Sequence, residues 1–233
     1  MPFSDIFKSL NIAMSEEVLA QLNGHFLLQE EKEFFLRMLS HDEIAELHQF
    51  MSDMDEIFQS MIPVWTDDNS NYVGIYFNGP LSYRVCYLNH EETDLSPAFR
   101  SAGSFIAALE QDSNHDWGDL KKDYPQDQNN NNELSAVDLE SIEQINHMLQ
   151  TPDLDDDVRC QYIYSVMALT PYNQLDTLLK FLDDEDMYVQ ERACDILGYH
   201  KYLPAREKLS ELLEHGMHNG RLAAKRALAR LGI

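Results

Sequence analysis

Ile44, Leu47, Met51, Met54, Phe58 and Met61 follow one another at steps of 3, 4, 3, 4 and 3, which is one face of an amphipathic helix. Just upstream, Ser40-His41-Asp42-Glu43 fits a capping box, the Glu lying three residues beyond the Ser. Pro63 closes the helical pattern, and the period then changes to two. Val73, Ile75 and Phe77 alternate with Tyr72, Gly74 and Tyr76. Asn78-Gly79-Pro80 supplies turn chemistry, and Arg84, Cys86 and Leu88 then alternate with Tyr83, Val85 and Tyr87. The two runs predict an antiparallel hairpin. Nearer the start, Ser15 before Glu16 and Glu17 predicts a helix N-terminus, and Asn23-Gly24 its end. After the hairpin, Ser101 or Ser104 caps a short helix bearing Phe105, Ile106 and Leu109. Together these predict an α+β domain, a small antiparallel sheet with helices on one face.

The second half has a different grammar. Leu178–Gly198 reads as a helix, an acidic turn and a second helix. A shift of 31 residues lays Val158 on Val189, Val166 on Leu197, Leu178 on Leu209 and Leu182 on Leu213. Glu191–Gly198 matches Lys225–Gly232 at a shift of 34, so three helix pairs fit between Ala136 and Leu231. Units of this length, each too thin to bury its own apolar face, predict an all-α solenoid. Between the halves, the polar run Gln111–Glu133 ends in four asparagines and reads as a linker with a short turn at Trp117. The predicted domains are 1–112 and 136–233, with a linker over 113–135.

Composition narrows the class. The 233 residues, 44% of them hydrophobic, exclude a chain disordered throughout. No apolar run reaches the ~18 residues of a membrane span, and the start lacks the basic and apolar regions of a signal peptide. Cys86, Cys160 and Cys194 are odd in number, far apart and set in apolar patterns, which fits buried thiols in a reducing compartment. The expected location is cytoplasmic. Seventeen basic against 41 acidic residues give a net charge of −24, which argues against nucleic acid and anionic membranes as partners. Residues 1–133 hold 7 basic and 24 acidic groups, so most of the excess lies in the first half. Such a field steers a basic partner.

Candidate chemistry is sparse. Asp67, Asn69 and Asn71 have the alternate spacing of a calcium loop, but Tyr72 and Asn78 stand where it needs a glycine and a bidentate acid. Asn89-His90-Glu91-Glu92 offers a base or ligand with no second ligand at metal spacing. His41 and His48 share a helix face without the glutamate of a zinc protease site. The acidic turns Asp155–Asp157 and Asp183–Asp186 precede second helices, where carboxylates oppose the helix dipole. Arg221, Lys225, Arg226 and Arg230 give the last helix a basic face. No glycine-rich phosphate loop, nucleophile elbow or Cys-x-x-Cys pair occurs, and neither metal nor cofactor is implied.

The stretch IPVWTDDNSNYVGIYFNGPLSYRVCYLNHEE, followed by SAGSFIAAL, resembles the core of the SUKH superfamily over Ile62–Leu109. Pro63, Asn71, His90, Glu91, Ser104 and Phe105 fall on that pattern, while Asn69-Ser70 replaces the glycine often found in its first turn. VQERACDILG resembles the second helix of a HEAT repeat, with the arginine displaced to Arg192. The SUKH resemblance implies a binding protein without catalysis, of the kind that neutralises a toxin delivered between bacterial cells. Many such toxins are nucleases with basic clefts, which an acidic inhibitor suits. The expected partner is therefore a protein, a basic toxin domain being the specific expectation. The expected surface is the open face of the sheet, Trp65, Tyr72, Tyr76, Tyr83 and Tyr87, rimmed by Asp67, Asp68, Glu91 and Glu92. A regulatory scaffold binding through its helical repeats is the alternative. A lyase acting in a HEAT-type cleft is the third class, and no residue singles it out.

Overall fold

The structure is a computed structural model that describes residues 3–54, 57–90, 94–126 and 132–232. The chain divides into two units, Met1–Tyr124 and Pro125–Ile233.

In the first unit, α1 (Phe3–Ser9) is tied to α2 (Glu16–Glu31) where Phe3 N donates to Asn23 Oδ1 at 2.9 Å. Ser15 caps α2 as the pattern predicts, but the helix runs through Asn23-Gly24 rather than ending there. With its side chain engaged by Phe3, Asn23 no longer competes for its own backbone, which is what makes Asn a turn former. β1 (Arg37–Met38) is an edge strand too short to show a period. The capping box of Ser40 and Glu43 then starts α3 (His41–Ser52). The predicted apolar stripe is longer than the helix. Ser52 Oγ bonds Gln49 O and Asp53 N bonds Phe50 O, closing the last turn. Met54 lies beyond that end, Phe58 opens a 3-10 turn (Phe58–Ser60), and Met61 begins β2 (Met61–Thr66). Pro63 is therefore a strand residue. The ladder slips between Pro63 and Trp65, as expected where a residue has no N–H to give.

β2, β3 (Tyr72–Tyr76) and β4 (Val85–Leu88) complete an antiparallel sheet ordered β1-β2-β3-β4. The register sorts side chains by face. Ile62, Ile75 and Val85 lie opposite one another, as do Trp65, Val73 and Tyr87. This face meets α2 and α4 (Ala102–Leu109): Trp65 packs edge-on against Phe105 at 4.7 Å and tilts toward His25 at 6.4 Å. Ser101 caps α4 with Ser104 in a reciprocal box. Met61, Pro63, Gly74, Tyr76 and Cys86 occupy the other face, and it too is buried. The α+β architecture is as expected, with α2 and α4 on the first face; the open second face expected of the sheet is corrected, since it is buried.

The first unit also extends past residue 112. Phe35 N donates to Ser113 O, Asp123 and Tyr124 N donate to Ala98 O, and Leu120 and Tyr124 are buried. Trp117, Leu120 and Tyr124 supply apolar anchors inside a polar run, so 113–124 is packed structure rather than linker. Gln126, in turn, is buried in the second unit, bonded to Asp138.

The second unit is helical: α5 (Asn132–Met148), α6 (Asp156–Leu169), a 3-10 helix (Tyr172–Asp183), α7 (Met187–Tyr199), α8 (Arg206–His215) and α9 (His218–Leu231). α6 packs on α5 and α7, α7 on α9, and the 3-10 helix on α7 and α8. α6, α7 and α9 begin 31 residues apart each time. Val158, Val189 and Gly220 are buried at equivalent places, as are Tyr162, Ala193 and Ala224, and Val166, Leu197 and Leu228. The shift of 34 expected for the last helix is therefore replaced by 31; the extra three residues are about one turn and superpose similar letters out of phase. Asp155 and Asp186 are N-caps accepting two backbone N–H groups each, a more specific role than opposing the dipole. Met217 stands at the third such place without a side-chain acceptor, and its N–H donates to Gln190 Oε1 instead. α7 and α9 approach closely through small residues: a Cβ on Gly198 would meet Ala227 Cα at 2.9 Å. No helix among the described residues is long and apolar enough to cross a membrane.

Candidate functional site

The loop between β2 and β3 is held by its own side chains. Asp67 Oδ1 accepts from the N–H groups of Asn69 (2.8 Å) and Asn71 (3.3 Å), and Oδ2 accepts from Asn71 Nδ2 at 2.8 Å. Burial works against the Asp67 anion, but the Asn71 amide and these N–H groups outweigh it and hold the pKa below the ordinary value. With its carboxylate so engaged, Asp67 organises the turn, in which Asp68 and Ser70 take positive φ. Among the described residues no group of three or more His, Cys, Asp or Glu could hold a metal. Asn71 Oδ1 also reaches His90, 2.8 Å from Nδ1, so the two loops at this end of the sheet are joined.

Asp68 is not a free rim acid. It accepts from Arg37 Nε and Nη2, and the same guanidinium grips Glu43. The Arg37 hydrogen bonds hold Glu43 down to about 2, against the effect of burial, with Ser40 adding to them. A single arginine on the edge strand β1 thereby fastens the β2–β3 loop to the first turn of α3.

Tyr87 is half-buried and stacks on Trp117 with ring centroids 4.6 Å apart and planes 8° apart. Lys122 lies over the Trp117 ring and donates to Trp117 O. Trp117 also meets Phe99 edge-on. Burial, then the charges of Asp67 and Asp116, push the Tyr87 pKa up, so its hydroxyl keeps its proton beside two carboxylates. Asp116 in turn accepts from the N–H groups of Gly118 and Asp119.

The expected aromatic surface divides accordingly. Trp65 is fully buried and Tyr76 is 1% exposed, its hydroxyl donating to Leu95 O; neither can touch a partner. The reason is the register, which turns Trp65 toward α4 and places Tyr76 on the second buried face. Tyr72 is half-buried across from Leu88. Tyr83 is exposed, in the turn before β4 rather than in the strand, with φ at 69°. Glu91 and Glu92 lie outside the described residues. What comes together is Asp67, Asn71, His90, Tyr87, Asp116 and Trp117, the last two in the run whose composition predicts a linker. The stacking partner was legible only as an aromatic in a polar run, which by itself gives no register.

Other candidates resolve into packing. His41 sits edge-on to Phe3, and His48 to Phe77, with burial lowering the His48 pKa. On α9, Arg226 pairs with Glu191 and Asp195, so part of the basic face is neutralised within the fold. All three thiols are pushed up by burial, Cys160 to about 11 and Cys194 to about 12, which leaves them protonated near neutral pH. The second unit carries a cavity of about 220 Å³, floored by Ile142, Val166 and Phe181 and rimmed by Asn146, Gln174 and Lys180. No family model, curated protein or solved structure matches this chain.

Proposed function

We propose that this chain is a protein-binding module that neutralises a basic partner, an immunity protein acting on a toxin domain, with a SUKH-like first unit and a HEAT-like solenoid as its second. The observation that carries the reading is the way the first unit uses its cations. Of the seven in residues 1–133, Arg37 bonds Asp68 and Glu43, Arg84 is buried against Pro80 O, Lys32 lies over Phe34, Arg100 over Tyr124 and Lys122 over Trp117, while Lys8 and Lys121 are exposed. With 24 acidic against those 7 basic residues, that half attracts a basic surface over a Debye length. Tyr87, Asp67 and Asp116 form the rim that would meet it, an aromatic group beside carboxylates being suited to arginine side chains. The even 31-residue spacing of α6, α7 and α9 supports the solenoid reading.

Purification of the native chain at low salt with whatever it holds, followed by mass spectrometry, tests this. A basic protein released by about 0.5 M salt is the expected result. A small-molecule product, or an acidic protein insensitive to salt, would overturn it. The scaffold alternative is favoured by one feature, the cavity over Val166, where the half-buried Asn146 and Gln174 flank an apolar floor. If substitutions at Asn146 and Gln174 release the captured protein while Tyr87→Ala does not, the second unit is the binder.

A further inference from the structure

His25 is a buried histidine whose protonation state is set by its neighbours. Its Nδ1 lies 2.8 Å from Glu110 Oε1, and its Nε2 lies 2.8 Å from Gln29 Nε2. The amide of Gln29 has only one usable orientation. Its Nε2 donates to Leu36 O at 3.2 Å, and its Oε1 accepts from Met38 N at 2.8 Å. The Gln29 NH2 group therefore faces His25, and Nε2 of the ring must be an acceptor. The proton sits on Nδ1, donated to the Glu110 carboxylate, and the ring is neutral.

The surroundings reinforce that state. Phe34 packs edge-on at 5.1 Å and Trp65 lies at 6.4 Å, both apolar faces. Glu110, at the C-cap of α4, is the charged group that faces the ring; Lys32 lies over Phe34 rather than over His25. Burial lowers the His25 pKa and outweighs the opposing pull of Glu110.

We infer that His25 and Gln29 form a proton-operated latch on the edge strand β1. A second proton on Nε2 would point N–H at N–H2, and the amide can relieve this only by turning over. Turning exposes its oxygen to the imidazolium but withdraws the donor from Leu36 O and the acceptor from Met38 N. Those two bonds are what Gln29 contributes to holding residues 36–38. Arg37 lies between them, so the release reaches the clamp on Asp68 and Glu43. The sign follows from the folded value lying below the unfolded 6.5. The closed latch stabilises the unit fully above about 6.5, and that stabilisation is lost as pH falls through the lower folded value. Any effect on partner binding would rest on the reading of the rim above; the latch does not.

The experiment uses the whole chain without a partner. Long-range nitrogen–proton NMR of the ring is recorded from pH 8 down to pH 5, beside amide exchange at Met38. The expected spectrum at neutral pH is the Nδ1–H tautomer. The Met38 protection factor should fall at least tenfold as His25 takes up its proton, while that of Val73 in the centre of the sheet holds. An Nε2–H tautomer, or Met38 protection unchanged across the His25 titration, overturns the latch. Gln29→Glu gives an independent reading, since a carboxylate welcomes the Nε2 proton: the His25 midpoint should move up by at least one pH unit, and an unchanged or lower midpoint counts against the latch. Should Gln29→Glu fail to fold, the wild-type spectra decide.

Discussion

Tyr83 holds a backbone conformation that costs an L-residue about 1–2 kcal/mol, because its Cβ crowds the following carbonyl. Its N–H donates to Tyr76 O at 2.7 Å, a bond any residue could make, and its side chain is 39% exposed. Glycine would relieve the crowding and lose about 0.5–1 kcal/mol to its looser unfolded chain. Tyr83→Gly is therefore expected to stabilise the protein by about 0.5–1 kcal/mol in urea unfolding, and a loss of stability would show that the ring packs more than its exposure implies. Arg37 gives the second prediction at this scale. Glu43 is held near 2 because Arg37 and Ser40 bond its ionised form, so its folded pKa lies below its unfolded value of 4.5. That contribution is complete above about 4.5 and is lost as pH falls toward 2. In Arg37→Gln the Glu43 pKa, followed by carboxyl carbon NMR, should climb toward 4.5, and the acid limb of the stability curve should flatten. An unmoved Glu43 would mean that the Ser40 cap alone holds it down.

Two glycines in helices make opposite predictions, because packing and propensity pull differently on each. Gly24 lies within α2, and an added Cβ would meet nothing within 4 Å; Gly24→Ala should stabilise by about 0.5–1 kcal/mol. Gly198 lies where α7 crosses α9, and its Cβ would meet the Ala227 backbone, so Gly198→Ala should destabilise by about 1–3 kcal/mol. Thermal melts of the two variants beside the native chain decide both. Sequence pattern alone reads Gly24 as a helix end and Gly198 as a repeat letter. Both readings miss the deciding contact, which is Phe3 N on Asn23 in one case and Ala227 in the other. Local chemistry was legible: the capping box at Ser40, the turn of the β3–β4 hairpin and the acids before α6 and α7 all lie where it places them. Period failed where a spacing ran on by coincidence past the end of a helix, from Met51 to Met61. It failed again where aromatic anchors stood alone in polar sequence, as at Trp117. The candidate rim was half legible for the same reason. Its acids and tyrosines lie in a recognisable hairpin, but which of them reach the surface depends on a bulge at Pro63 and on residues 113–124 folding back.

At the scale of the molecule, two electrostatic effects oppose each other. Close pairs such as Arg37 with Asp68, Arg159 with Asp184 and Arg226 with Glu191 stabilise the fold, and salt screens them. Against them stands the self-repulsion of 41 acids facing 17 bases, which salt relieves. The pairs are in contact and partly shielded from solvent, so screening removes only a fraction of their modest worth. The repulsion acts between exposed carboxylates many ångströms apart, the range over which a Debye length falling from about 10 Å at 0.1 M toward about 3 Å at 1 M matters most. Relief should win. Raising potassium chloride from about 0.05 M to about 0.5 M is expected to lift the Tm by about 2–4 °C, corresponding to roughly 1 kcal/mol in a chain of this size. A Tm that falls instead would mean that the short pairs dominate. The acidic surface would then be more nearly balanced than the net charge of −24 implies, and electrostatic steering of a basic partner would lose its main support.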